Sequence, residues 1–250
     1  MALALFAGLV ACLELWFWLG QRARLKKSEH PDQLATIQGA MLGLLALLLG
    51  FSFALAAGRF SDRVQLISQE ANAIGTAWSR CDLLGEPQRD AVRQLLRRYT
   101  ELRIAVYNAK SDSDWNSIIA QTESLQGEIW PLVAGEAKTH PGMGVLLLPD
   151  FNAMFDLCGT RVAASQKHLP IMLLLLLLAS SAVSVAVVGY GCGVAGERNV
   201  FLTTALSFLI AGVLWAIIDM DHPRKGLIQA GQQPMLNLQK SLEQHPPTMR

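Results

Sequence analysis

Charge is scarce in this chain: Asp, Glu, Lys and Arg make up 16% of its 250 residues, where a soluble domain carries about 25%. A basic surplus is missing too. The net charge is +1, which argues against nucleic acid as a partner, because neutralising phosphates needs a strongly basic face. The four cysteines, at 12, 81, 158 and 192, have no C-x-x-C spacing, and the five histidines are scattered. No metal-ligand pattern emerges, so neither a metal nor a cofactor is expected. The chain also lacks G-x-x-x-x-G-K-[ST], G-x-S-x-G and H-E-x-x-H, the signatures of phosphate-cradling, esterase and zinc-protease chemistry. An enzyme is not expected. No segment alternates apolar and polar residues with period two, so strands have no support.

What the chain has instead is apolar sequence. Hydrophobic residues make up 52% of it and the mean hydropathy is +0.31. No charge falls in Gln33–Gly58, in His168–Gly196 or in Asn199–Ile218, and each stretch suffices for a bilayer core of roughly 20 residues. A fourth apolar segment, Ala2–Gly20, contains Glu14 and is followed by Arg22, Arg24, Lys26 and Lys27. Nothing basic precedes it and no A-x-A pattern follows it, so it reads as an uncleaved membrane helix with Trp16 and Trp18 at the interface. The pattern predicts spans over Ala2–Gly20, Thr36–Gly58, Leu169–Tyr190 and Asn199–Ile218, with Gly189–Gly193 as a tight turn after the third. Lys and Arg are densest in the two short loops, which by the positive-inside tendency places both termini and the long connection outward, periplasmic in an inner membrane.

The connection, residues 59–168, carries 12 Lys+Arg and 13 Asp+Glu. Val64, Ile67, Ala71, Ile74 and Trp78 keep 3-4 spacing, so the second span is expected to run on as one rod to Leu84. Gly85-Glu86-Pro87 stops it. A helix over Gln88–Lys110 would place Val92, Leu96 and Tyr99 inward, with Arg93, Arg97 and Arg103 largely on other faces. A third, capped by Asp112 or Ser113, would reach Lys138; Thr139–Gly144 would form a loop, and a fourth helix, Leu146–His168, would run directly toward the third span. The expected fold is all-α: four transmembrane helices with a helical-bundle insert between the second and third. It divides as 1–58, 59–168, 169–219 and a C-terminal turn with a short amphipathic helix, 220–250, read as a brace on the bundle.

Several residues invite a functional reading. Glu14 is the ionisable residue inside a span and serves either as a functional group or as a partner for a neighbouring helix. Gly39 and Gly43 form a G-x-x-x-G pair for close helix approach, within the chain or between subunits. Leu48, Phe51 and Leu55 recur at i, i+3 and i+7 ahead of Arg59 and Arg63. In a ring of subunits these would make an apolar constriction followed by basic rings, which gates by dewetting and selects anions; in a monomer the stripe faces lipid or core. Cys81 and Cys158 either pair or stay as buried thiols. The exit from the fourth span, Asp219, Asp221, Pro223, Arg224 and Gly226, reads as a fixed turn with salt bridges.

The chain resembles the bestrophin-like family of bacterial membrane proteins. The resemblance rests on the uncharged second helix leading into Glu70-Ala71-Asn72, the Asp82-Leu83-Leu84-Gly85-Glu86-Pro87 turn, the Leu95-Leu96-Arg97-Arg98-Tyr99 helix, and the Asp219-x-Asp221-x-Pro223-x-x-Gly226-x-Ile228 exit with Gln233-Pro234. It implies kinship with bestrophins, which are pentameric anion channels whose second membrane helix lines the pore. An oligomeric channel of inorganic anions in the lipid bilayer, a homo-oligomer of five by that kinship, is the expectation. The alternative is a membrane sensor or assembly partner whose insert binds a ligand or another protein. No cluster of acids like the bestrophin calcium clasp is present, since Asp219 and Asp221 are only two.

Overall fold

The computed structural model describes residues 1–24, 31–222 and 226–244. Among them every regular element is helical. In chain order these are α1 (Ala2–Arg24), α2 (Pro31–Arg80), α3 (Gln88–Ala105), α4 (Asp112–Thr139), α5 (Pro141–Gln166), α6 (Ile171–Ala195), α7 (Val200–Asp221) and α8 (Gln233–Glu243), with 3-10 turns at Cys81–Leu83 and Val106–Asn108. Four of these helices contain stretches long and apolar enough to cross a membrane, in α1, α2, α6 and α7. The chain divides into two units: Met1–Phe60 with His168–Ile228, and Ser61–Lys167 with the chain from Gln229 onward.

In the first unit the core is a seam of aliphatic side chains from α1 (Leu9, Leu13), α2 (Leu45, Leu49, Ala56), α6 (Leu177, Val185) and α7 (Ile210, Leu214, Ile217). Large apolar side chains also face outward, including Phe51, Phe201 and Phe208, as expected of helices whose other faces meet lipid or a partner rather than water. α1 and α6 approach most closely, through glycine. A Cβ on Gly189 would lie 2.5 Å from the Leu13 carbonyl oxygen, and one on Gly193 would lie 2.9 Å from the Cα of Gly20. Gly189–Gly193 is therefore helix and not the expected turn, since the glycines serve the contact. The chain reverses instead at Gly196, whose φ of 74° is left-handed and ends α6. Asn199 caps α7, its side chain accepting the Leu202 N–H at 3.2 Å.

The second unit buries Ile74, Ala77, Leu96, Tyr99, Ile129, Val133, Leu147, Phe151 and Met154 between its helices. The cap of α4 is Ser111, whose Oγ accepts the Asp114 N–H at 3.0 Å, one position before the expected residues. Helix α5 opens at Pro141, so most of the expected loop at Thr139–Gly144 is helical and only His140 separates it from α4. Proline at the first turn sacrifices an N–H that would be unpaired anyway. Gly144 fits because a Cβ there would sit 3.0 Å from the Cβ of Ala137. α5 ends at Gln166 and α6 begins at Ile171, because Pro170 favours extended backbone at Leu169 and lacks the N–H to continue a helix. α8 lies on the bundle: Arg97 donates to the Leu242 carbonyl at 3.2 Å, and Met235 and Leu242 are buried.

Candidate functional site

α2 is proline-free beyond its first residue and has two faces. Leu45, Leu49, Ala56 and Arg63 share the buried one at 3-4 and 7-residue intervals. Arg63 is 6% exposed; its Nε donates to the Ala164 carbonyl at 3.2 Å and its Nη2 to the Lys167 carbonyl at 2.7 Å. It therefore serves the C-terminal end of α5, where a cation is favoured by the helix dipole, and does not stand free beside Arg59. Arg59 is half-buried, and its Nη1 is buried without a hydrogen-bond partner among the described residues. Leu48 is half-buried against the membrane core, whereas Phe51 and Leu55 are exposed. The outward apolar stripe runs Leu44, Leu47, Phe51, Leu55. Gly39, Gly43 and Gly50 are also exposed, and a Cβ on any of them would meet nothing within 4 Å. The described residues thus give the Gly39–Gly43 pair no close-packed partner inside the chain.

Glu14 is paired. Arg198 donates to both of its carboxylate oxygens, at 2.7 and 2.8 Å, and lies over the Phe17 ring at 5.0 Å. A bidentate guanidinium partner answers the cost of an acid within an apolar helix.

At the exit of α7 both acids hold backbone amides. Asp219 Oδ2 accepts the Ile228 N–H at 2.7 Å, and a Cβ on Gly226 would sit 2.8 Å from that same oxygen, so glycine is required there. Asp221 Oδ1 accepts the Leu169 N–H at 2.9 Å, tying the start of the α6 segment to the end of α7. The bases expected to bridge these acids, Arg224 and Lys225, lie with Pro223 outside the described residues. His168 Nδ1 stands 3.0 Å from the Asp221 carbonyl oxygen and 3.4 Å from its Oδ2, and the ring stacks on His222 with centroids 5.2 Å apart.

The sequence reading missed a charged centre in the second unit. Glu70 is fully buried, receives Arg103 Nε at 2.5 Å and Arg161 Nη1 at 2.6 Å, and Arg161 donates onward to Gln232 at 3.2 Å. Arg103 is buried, not turned to another face. Burial works against its charge, but the Glu70 carboxylate more than offsets that and holds the guanidinium above its ordinary value. The signal was present in the spacing, because Val92, Leu96, Tyr99 and Arg103 lie on one helical face. The four cysteines are free thiols. Cys81 donates to the Ala77 carbonyl at 3.3 Å, and burial pushes its thiol up to about 12; burial likewise raises Cys158 and the Tyr99 hydroxyl.

With the helices and the acids at the end of α7 placed, a comparison with family models decides the kinship: the bestrophin-like domain model matches residues 5–235. The chain belongs to the bestrophin-like family. Solved structures agree at the level of fold. A bacterial bestrophin homologue from Klebsiella pneumoniae superposes with a TM-score of 0.69 at 12% identity, covering 97% of this chain and 94% of that one. A variant of that homologue gives 0.68 at 12%, covering 95% of each chain. A crystal structure described only as a membrane protein gives 0.68 at 12%, covering 100% of this bestrophin-like chain and 98% of the other. No curated protein sequence matches.

Proposed function

We propose that this bestrophin-like protein assembles as a homo-oligomeric ring, of five subunits by family kinship, and conducts inorganic anions along α2 in the inner membrane. The observation that carries the reading is the exposed apolar stripe of Leu44, Leu47, Phe51 and Leu55 on a helix that continues unbroken to Arg80. Around a central axis such a stripe forms a dewetting constriction, which conducts when it widens. Arg59, with a buried Nη1 that has no partner among the described residues, is the cation nearest in sequence to attract an anion on this path. Arg63 supports α5 and contributes to the field only at a distance. The test is halide current across planar bilayers containing the purified protein. Phe51→Ala is expected to raise conductance or remove its gating, whereas a monomeric particle with no central axis would sink the proposal.

A second reading, a sensor or assembly partner, is favoured by one feature of the bundle unit: an open groove between α2 and α8 lined by Asn72, Thr76, Arg80, Asn237 and Ser241. It requires a second protein to co-purify at stoichiometric level. Failure to find one, together with halide current, decides for the channel.

A further inference from the structure

One ligand-bearing atom from each of His168, Asp221 and His222 lies within 4.8 Å of the others. The three residues come from the two ends joined by Asp221: His168 directly precedes the amide that Asp221 accepts, and His222 directly follows Asp221. We propose that this trio binds a divalent d-block cation, zinc or a metal of similar preference, through two imidazoles and one carboxylate.

Three observations support the assignment. The carboxylate is fixed, since Asp221 is 2% exposed and its Oδ1 is held by the Leu169 N–H, while His168 Nδ1, 3.0 Å from the Asp221 carbonyl oxygen and 3.4 Å from Oδ2, is a donor and leaves Nε2 as the ligand atom of that ring. The imidazoles are accessible and adjustable: the His168 side chain is 48% exposed, His222 is exposed, and the rings stack with an interplanar angle of 27°. Finally, the His222 tautomer is set. Its Nδ1 lies 3.0 Å from the Ile218 carbonyl, which can only accept, so Nδ1 carries the proton and Nε2 offers its lone pair. A ring nitrogen bonded to a backbone carbonyl is the usual outer support of a metal-ligating histidine. Tetrahedral zinc with nitrogen and oxygen ligands needs ligand atoms ~3.3 Å apart, a contraction within reach of rotations of two exposed rings. Two nitrogens and one oxygen suit zinc, cobalt or nickel and disfavour calcium, which takes oxygen ligands. The site thus differs from an acidic calcium clasp, and nothing in it depends on the pore.

Co2+ provides a spectroscopic probe on the full-length protein in detergent. Titration is expected to give one equivalent per chain, with visible d–d bands of a low-symmetry site that zinc abolishes and a hundredfold excess of calcium does not. His222→Ala and His168→Ala should each weaken binding by at least about tenfold while leaving far-UV circular dichroism unchanged. If His168→Ala fails to fold, diethylpyrocarbonate labelling of the unaltered protein answers the same question: zinc should protect His168 and His222 but leave the exposed His140 reactive. Unchanged affinity in folded variants, calcium competing on equal terms, or labelling indifferent to zinc would each overturn the site.

Discussion

At the scale of single residues, the chemistry of the bundle unit centres on Glu70, a buried carboxylate shared by two guanidiniums. Removing one partner of a buried pair leaves the other as an uncompensated charge, typically at a cost of about 3–5 kcal/mol. Glu70→Gln keeps the shape and removes the charge, so it should lower the thermal midpoint sharply; Glu70→Leu with Arg103→Met should recover part of the loss. An unchanged midpoint in Glu70→Gln would show that water reaches the pair. Cys81 yields a pH prediction. Its thiol is raised to about 12 in the folded protein, while in the unfolded chain it ionises near 8.5. The unfolded state therefore loses its proton first as pH rises, and stability falls between about pH 8.5 and 12. Cys81→Ala should flatten that part of the stability profile, and native Cys81 should resist Ellman's reagent at pH 8. Residues of this kind show how far sequence reading extends. Spacing already put Arg103 in line with Leu96 and Tyr99, and Arg63 in line with Leu49 and Ala56. Arginine ordinarily turns to water, and only the acid or the helix end waiting across the space shows that these two do not.

At the scale of elements, two sets of glycines look alike in sequence and differ in what surrounds them. Gly189 and Gly193 lie against the α1 backbone, where a Cβ would collide; Gly39 and Gly43 face open space. Gly193→Ala should therefore destabilise the α1–α6 pair by about 1–3 kcal/mol, the usual cost of overpacking, seen as a lower unfolding midpoint of the solubilised protein. Gly43→Leu should leave that midpoint alone and, if α2 packs against another subunit, shift the oligomer distribution in native mass spectrometry. The helices themselves were legible because their periodicity and length are long-range signals. Their ends were less so: Pro141 and Pro170 are both breakers by composition, yet one starts a helix and the other separates two, depending on which backbone N–H groups already lack partners.

At the scale of the whole molecule, the uneven distribution of charge matches the division into two units, one nearly free of charge in its spans and one with the charge density of a soluble domain. That division was legible because it is a matter of composition over dozens of residues. Whether α2 meets a copy of the same chain was not, since a face that meets lipid and one that meets another subunit are equally apolar. Orientation is the large-scale question most open to a direct test. The basic residues that bias it are partly engaged: Arg198 is bound to Glu14, and Arg22 lies 3.4 Å over the Trp18 ring. Both still carry their charge at the ends of spans, and the rule depends on lysine and arginine kept on the inner side, paired or not. Ser124 is an exposed position on α4 in the bundle unit, and the native Cys81 and Cys158 are buried. Ser124→Cys should react with a membrane-impermeant maleimide added to intact spheroplasts. Labelling that appears only after permeabilisation would place the bundle in the cytoplasm, where bestrophins hold their large helical domain, and would show that these few positive charges are outweighed.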